Sequence, residues 1–422
     1  MKSLVSLMKT ANNMIILGIE TSCDETALAL IETRGKDEYR VISSLVHSQA
    51  ELHSAYGGVF PNLAKREHSK NLIPLLRKLL DGSDLYADNK NISDEEYGGT
   101  IASLTNLLAD KNADLLNSIK NPHSDFLKKI PRIDVIAVTE GPGLEPALWV
   151  GINFAIILST LWHIPVRAVN HMEGHIVGSL LHSDKPYGTW QTLKELALPS
   201  IALLISGGHT EIVKIEKSGT RYNYTIIGQT KDDAVGEAFD KVARLLGLPY
   251  PGGPHISKLA YEAKEKNIVS TIKLPRPMIN SGDCDFSFSG LKTAVLYATK
   301  KLTDKDGQLA YGAKAGLARE FEEAVVETLS KKLIKAIEET SAESIIIGGG
   351  VSANRALREK LGEVAAEFSI PLFLPDQHVS GDNALMIALV AAIENSHNVN
   401  SAPSSHIVVS DSPQADGTKS LV

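Results

Sequence analysis

The chain lacks the features that would commit it to several large classes. Of its 422 residues only Cys23 and Cys284 are cysteine, which excludes a disulfide framework and suits a reducing compartment. Surplus positive charge is missing as well. Lys and Arg number 43 against 50 Asp and Glu, a formal net charge of −7, so any contact with nucleic acid has to come from a local basic patch. No apolar run reaches the ~18 residues of a membrane span, and no membrane association is expected. Residues 1–13 are too weakly apolar for a signal peptide and contain no arginine, which argues against a mitochondrial presequence. They read as a flexible extension ahead of a fold that starts at Met14, in a cytoplasmic protein. Apolar residues make up 43% of the chain, ample for a sizeable core, and the length favours two domains or one bilobal body at ~100–200 residues per domain.

What is present is a pattern that occurs twice. Residues 14–31 read as a buried strand, the polar turn Thr21-Ser22-Cys23-Asp24-Glu25-Thr26 and a second strand. A third strand at 39–44, an amphipathic helix over 68–80, a strand at 133–138 leading through Gly141-Pro142-Gly143 into a helix, and a strand at 166–169 complete the set. The same order recurs from Ile201, with Ser206-Gly207-Gly208-His209-Thr210 as the turn. A third strand at 222–227, a helix at 234–246, a strand at 344–347, the turn Gly348-Gly349-Gly350, a helix at 354–368 and a strand at 371–374 follow. Two β-β-β-α-β-α-β halves imply an α/β fold of two similar lobes around a cleft, the duplicated layout of the actin, hexokinase and heat-shock ATPase (ASKHA) superfamily. The expected boundaries are 14–170 for the first lobe, 171–376 for the second, 377–394 for a closing helix that returns to the first, and 395–422 for a disordered tail. A polar, acidic stretch at about 81–130 reads as an insertion in the first lobe, dispensable for the fold. Residues 250–317 read as an extra helical region of the second.

Several residue groups carry chemistry. His171 and His175 stand four apart, one above the other on a helix, where two imidazoles can share one metal ion or simply serve as a structural pair. Asp382 is the carboxylate expected to complete the set, its competing role being the N-cap of the last helix. Two histidines and one carboxylate suit Fe(II) or Zn(II). The three are expected to converge at the mouth of the interlobe cleft. The Ser206-Gly207-Gly208 turn lets backbone amides approach an anion, because glycine permits left-handed geometry; the alternative is an ordinary hairpin turn. Asp240 projects from a helix, either toward ribose hydroxyls or toward Lys241 or Arg244. Gly253 lies in a loop that closes on a ligand or merely turns. Asn354 hydrogen-bonds a purine or ribose, or caps its helix. Asp24 and Glu25 are acidic groups suited to orienting a metal or a reacting group, and stand as the catalytic pair; the alternative is a plain turn. A metallopeptidase would place glutamate directly after the first histidine, where Met172 stands. A small-molecule kinase of this fold has no need of the histidine pair, and a non-catalytic scaffold would lack the metal ligands.

Gly18-Ile19-Glu20-Thr21-Ser22-Cys23-Asp24-Glu25-Thr26, the His171/His175 pair, Ser206-Gly207-Gly208-His209-Thr210, Glu237-Ala238-Phe239-Asp240-Lys241, Tyr250-Pro251-Gly252-Gly253-Pro254, Phe288-Ser289-Gly290-Leu291-Lys292-Thr293 and Gly349-Gly350-Val351-Ser352-Ala353-Asn354-Arg355 together resemble the TsaD family. These are tRNA N6-adenosine threonylcarbamoyltransferases, once described as glycoproteases. The resemblance covers nearly all of 14–394 apart from the insertion, and His209 is similar to the bacterial and organellar branch. It implies transfer of a threonylcarbamoyl group from threonylcarbamoyl-adenylate to N6 of adenosine 37, in tRNAs that read codons beginning with A. It implies one divalent metal, Fe(II) first and Zn(II) as the alternative, on His171, His175 and Asp382, with no organic cofactor. Leu204, Ile205, Ser206, Gly207 and Gly208 would grip the donor near its phosphate or carbamoyl, while Asp240, Gly253 and Asn354 would bind its adenosine. The implied partners are tRNA, an inactive TsaB-like paralogue that dimerises with this subunit, and a small TsaE-like P-loop ATPase.

Overall fold

Strict alternation along the first strand decides which side of the first sheet each helix covers. The computed structural model describes residues 13–35, 37–86, 90–108, 112–182, 185–219, 221–306, 308–377, 379–397 and 413–421. The described residues form two units, the first drawn from 1–49, 60–194 and 382–420, the second from 50–59, 195–381 and 421–422. The expected N-terminal extension, 1–12, lies outside the described residues.

The first unit opens with β1 (Met14–Glu20), β2 (Glu25–Arg34) and β3 (Glu38–Ser48). The short helix α1 (Ala50–Ser54) belongs with the second unit. Then come α2 (Pro61–Asp81), α3 (Asp94–Leu108), α4 (Ala113–Lys120), β4 (Val135–Gly141), α5 (Glu145–Trp162), β5 (Val166–Asn170), α6 (His171–Gly178) and β6 (Gln191–Thr192). The strands order as β5-β4-β1-β2-β3-β6, with β1 antiparallel to β2 and parallel to β4. Because successive side chains point to opposite faces of a strand, Leu17 and Ile19 join the cluster under α2 and α5. Gly18 faces the other way, where the chain returns as a last helix: a Cβ on Gly18 would stand 2.2 Å from the carbonyl oxygen of Ala384. Glu20 shares the parity of Gly18.

Helix α2 begins at Pro61, earlier than the expected 68, because proline is well placed in a first turn whose N–H groups have no partner. By length and composition α5 is apolar enough to cross a membrane, a run the sequence reading did not anticipate. However, 72% of it is buried inside the unit, which makes it a core helix. The stretch at 81–130 is also corrected. Leu85, Ile92, Ile101, Leu104, Leu108, Leu115, Leu116, Ile119 and Leu127 are all buried in the same cluster as α2 and α5, so this segment is part of the core.

The second unit repeats the plan. It contains β7 (Ser200–Ile205), β8 (Thr210–Ser218), β9 (Arg221–Gln229), α7 (Val235–Leu245), α8 (Gly252–Glu265), α9 (Ser289–Leu302), α10 (Tyr311–Thr340), β10 (Ser344–Gly348), α11 (Arg355–Phe368) and β11 (Leu372–Phe373). Its sheet order, β11-β10-β7-β8-β9, matches β5-β4-β1-β2-β3 strand for strand. This duplicated topology is the ASKHA fold. The 30-residue α10, which the sequence reading did not single out, buries Leu317, Phe321, Val325, Leu329 and Leu333 at a helical spacing. The chain then returns to the first unit through α12 (Ala384–His397), which lies on β1, β2 and α6. The boundary between the units falls after Lys194, not at the expected 170/171, because α6 stays against α12.

The tail also departs from expectation. Residues 395–397 continue α12 and 398–412 lie outside the described residues, but 413–420 dock on the first unit. Asp416 N donates to Glu140 O at 2.9 Å, Gly143 N to Gly417 O at 3.3 Å, and Asn170 Nδ2 to Ser420 O at 3.1 Å; Lys419 pairs with Glu140. At roughly 0.5–1.5 kcal/mol net for each of these three hydrogen bonds, a chain ending at 412 is expected to lose about 1.5–4.5 kcal/mol of stability. Scanning calorimetry should show a midpoint lower by a few degrees; an unshifted transition would mean that the docked segment contributes nothing.

Candidate functional site

In the first unit, the run that follows β5 builds a metal-type cluster. Asn170 caps α6, its Oδ1 accepting from Met172 N at 2.9 Å and Glu173 N at 3.4 Å. The helix therefore starts at His171 and sets His175 one turn on, both side chains buried. The carboxylate comes from the far end of the chain. Asn383, not Asp382, caps α12, its Oδ1 accepting from Met386 N at 3.1 Å. Asp382 is thereby left free for the imidazoles: its Oδ1 lies 3.3 Å from His171 Nε2 and 3.2 Å from His175 Nε2. The three donor atoms lie within 4.8 Å of one another. Bonds of ~2.0–2.1 Å to one tetrahedral ion would put donor atoms about 3.3 Å apart, so the spacing suits a shared ion. Moreover, His175 Nε2 is buried without a properly aligned hydrogen bond, despite its proximity to Asp382. All three groups belong to the first unit, so the cluster is complete within it.

Carboxylates crowd around this cluster. Glu20, which the sequence reading passed over, is fully buried, with Oε2 2.9 Å from His171 Nδ1. Burial works against charge on His171, but the Asp382 and Glu20 carboxylates outweigh it and hold the imidazole well above its usual range. Burial likewise acts to raise Asp382, yet the charge and hydrogen bond of His171, with His175 beside it, hold its carboxyl well below the usual range. Asp24 is buried and Glu25 half-buried in the turn after β1. Burial, followed by the charges of Asp24 and Asp382, pushes the Glu25 carboxyl well above normal. The turn is pinned by His68, also missed: its Nε2 lies 3.0 Å from Cys23 O and its Nδ1 2.8 Å from Thr26 Oγ1.

The second unit holds the remaining expected residues in two places. In the β7–β8 turn, Ser206 Oγ accepts from His209 N at 3.0 Å and from Gly208 N at 3.3 Å. Neither Gly207 nor Gly208 adopts a positive φ, so left-handed geometry is not why glycine stands there. Both are exposed, and a Cβ on either would meet nothing within 4 Å, so their contribution is room for an approaching group. Leu204 and Ile205 are fully buried in the central strand that leads into the turn. Gly349 closes in from the next turn with φ +89°, where a Cβ would stand 2.4 Å from Ile205 O.

The second place is the start of α8. Asp240 Oδ1 accepts from Gly252 N at 2.7 Å, beside Gly253, over which space is open. One turn along, Ser257 Oγ receives Asn354 Nδ2 at 2.5 Å. Asn354 is heavily used by the fold: its Oδ1 caps α11 through Leu357 N, and its Nδ2 also donates to the buried Glu322 at 2.7 Å. The capping role of Asn354 is thus realised, and its Nδ2 reaches α8, the helix whose first residue Asp240 holds.

Comparison with known proteins follows the same residues. The TsaD family model, described as tRNA N6-adenosine threonylcarbamoyltransferase, matches 40–92 and 109–389; outside the match lie 1–39, the stretch 93–108 that contains α3, and 390–422. A protein of that name from Variovorax paradoxus is 40% identical over 380 residues, covering 90% of both chains. Another from Burkholderia ambifaria is 40% identical over 383 residues, 90% of this chain and 92% of its own. Among solved structures, HypF of T. kodakarensis aligns over 92% of this chain and 48% of its own, at 11% identity and a TM-score of 0.49. The fold assignment stands on the matching strand orders instead.

Proposed function

Because the chain belongs to the TsaD family of tRNA N6-adenosine threonylcarbamoyltransferases, we propose that the His171–His175–Asp382 cluster is the metal centre of a threonylcarbamoyl transfer. The chain transfers a threonylcarbamoyl group to N6 of an adenosine in tRNA. In this reading the donor is threonylcarbamoyl-adenylate and the acceptor is adenosine 37 of tRNAs that read codons beginning with A. One observation carries the metal assignment: two buried imidazoles and a carboxylate bring three donor atoms together, with one imidazole nitrogen left without a hydrogen bond. Fe(II) suits this set, with Zn(II) as the alternative, and no organic cofactor enters the reading.

When bound, a divalent ion supplies Lewis acidity and a fixed positive charge for the donor oxygens. The chain's residues supply the rest. As N6 attacks the carbamoyl carbon, a C–N bond forms, the C–O bond to the adenylate phosphate breaks, AMP leaves and N6 gives up a proton. Glu25 accepts that proton, a role favoured by burial and the neighbouring Asp24 carboxylate, which raise its proton affinity, and Asp24 orients the reacting group. The amides of Ser206-Gly207-Gly208 hold the phosphate, while Asp240, Gly253 and Asn354 hold the adenosine at the first turns of α8. The partners of this reading are tRNA, a TsaB-like inactive paralogue and a TsaE-like P-loop ATPase, and the place of work is the cytoplasm.

The test is mass spectrometry of tRNA nucleosides after incubation with the chain, those partners and threonylcarbamoyl-adenylate. Threonylcarbamoyladenosine should accumulate; tRNA that stays unmodified in a system active with a known family member would overturn the reading. The adenosine site has its own check. Asp240→Ala and Asn354→Ala each remove a polar partner worth about 0.5–3 kcal/mol, so calorimetry with a non-reactive donor analogue should show weaker binding for both. Asn354→Ala should also melt earlier, since losing a helix cap costs roughly 0.5–2 kcal/mol. Undiminished affinity in both variants would move the adenosine elsewhere.

A further inference from the structure

We propose that Glu20 is the positioning residue of the metal centre, fixing which nitrogen of His171 faces the ion. The inference rests on the metal reading of the cluster. The imidazole of His171 stands between two carboxylates, with Nδ1 2.9 Å from Glu20 Oε2 and Nε2 3.3 Å from Asp382 Oδ1. Glu20 is itself held rigidly. Its Oε1 accepts from Ser22 N at 2.5 Å, and its Oε2 accepts from Thr139 Oγ1 at 2.6 Å as well as from His171. A glutamate with no exposed surface, on a central strand, is costly unless it is paired and hydrogen-bonded. Each of its oxygens is accounted for, and among the described residues His171 is the cationic group it meets.

The direction of these bonds assigns the roles. An ionised carboxylate only accepts, so Nδ1 carries a hydrogen toward Glu20, and when an ion is held by the ring it is Nε2, the side facing His175 and Asp382, that gives up its proton and offers a lone pair. Ser22 Oγ, 3.3 Å from the same Nδ1, is a longer and weaker partner. A carboxylate behind the ring also makes the distal nitrogen a better donor, as outer carboxylates do for histidine ligands in general. Glu20 is not itself a ligand, since the ring separates it from the point where the three donor atoms meet. His175 offers an internal contrast, because its Nε2 lies near Asp382 while, among the described residues, no ion pair joins its Nδ1 to a carboxylate.

The test uses the full chain stripped with a chelator and titrated with Zn(II) against a chromophoric competitor. The wild-type chain should take up one equivalent; failure at this step overturns the metal reading itself. Glu20→Gln keeps the shape but removes the charge, and should weaken Zn(II) binding by about 10–100-fold at an unchanged thermal midpoint. A Glu20→Gln chain that folds and binds Zn(II) within twofold of wild type overturns the positioning role. A second measurement covers a variant that does not fold. In the Zn(II)-loaded wild-type chain, ¹⁵N-detected histidine spectra, with His171 assigned by its absence in His171→Gln, should show zinc on Nε2 and a downfield, exchange-protected proton on Nδ1. Zinc on Nδ1, or an Nδ1 proton that exchanges freely, overturns the proposal.

Discussion

Changing His171 and His175 together to alanine should abolish stoichiometric metal binding and cut transfer to tRNA by about 10²–10⁴-fold, while leaving a folded chain. The activity loss follows from removing a Lewis acid worth several kcal/mol, at ~1.36 kcal/mol per factor of ten. The fold should survive with a cost. Without His171, the buried Glu20 keeps only Ser22 N and Thr139 Oγ1 and loses the cation opposite, so a stability loss of roughly 1–3 kcal/mol is expected. His175→Ala alone is the cleaner variant, because the pairing of His171 with Glu20 stays in place and His175 Nε2 loses only a poorly aligned contact with Asp382. Metal content by plasma mass spectrometry, the thermal midpoint and the tRNA nucleoside assay should be read on the same preparations. A double variant that keeps one equivalent of metal and full activity would make the pair structural.

Replacing residues 84–129 with a short Gly/Ser linker should destroy the cooperative transition of the first unit, although the polar composition of the stretch suggests otherwise. Nine aliphatic side chains from Leu85 to Leu127 are buried there. At ~1.5–3 kcal/mol each they account for roughly 15–25 kcal/mol of burial, above the ~5–15 kcal/mol net stability of a typical domain. The surface left behind is equally apolar, including Leu72, Leu76 and Leu79 on α2 and Val150, Phe154 and Leu158 on α5. Trp162 would also lose the carbonyl of Leu127 that its Nε1 reaches at 2.9 Å. Removing only 93–108, which the family match omits, takes away α3 with Ile101, Leu104 and Leu108 and should leave a cooperative but earlier transition. Calorimetry and size-exclusion chromatography would separate the cases. A soluble, monomeric 84–129 replacement with a native-like transition would show that the segment is an appendage after all.

These two results probe opposite limits of reading a sequence. The histidine pair was legible because its meaning is local: a four-residue step on a helix places two side chains on one face whatever surrounds it. The duplication was legible for the same reason, since strand and helix periods are written into each segment, and matching turns recur in matching order. The 81–130 stretch was misread because its apolar residues are spaced among acidic and polar ones, on helices too short for a clear stripe. Only the neighbouring α2 and α5 show that those residues have a core to enter.

The sequence by itself determined the fold class, the family and the identity of the three residues that could share an ion, because each depends on short-range spacing and on the order of motifs. Tertiary structure alone decided what each residue is free to do. Asp382 and Asn383 are adjacent and both capable of capping; α12 starts at Ala384, where it meets β1 and α6, so Asn383 takes the cap and Asp382 turns to the histidines. Glu20 reads as one more residue of a buried strand, and it became part of the centre only because its face of the sheet is the one α12 covers. The docking of 413–420 was likewise invisible, because a polar tail carries no period of its own and is ordered by bonds to residues some 250–280 positions earlier. Long-range burial sets which hydrogen-bonding groups are left without water, and those groups then choose their partners.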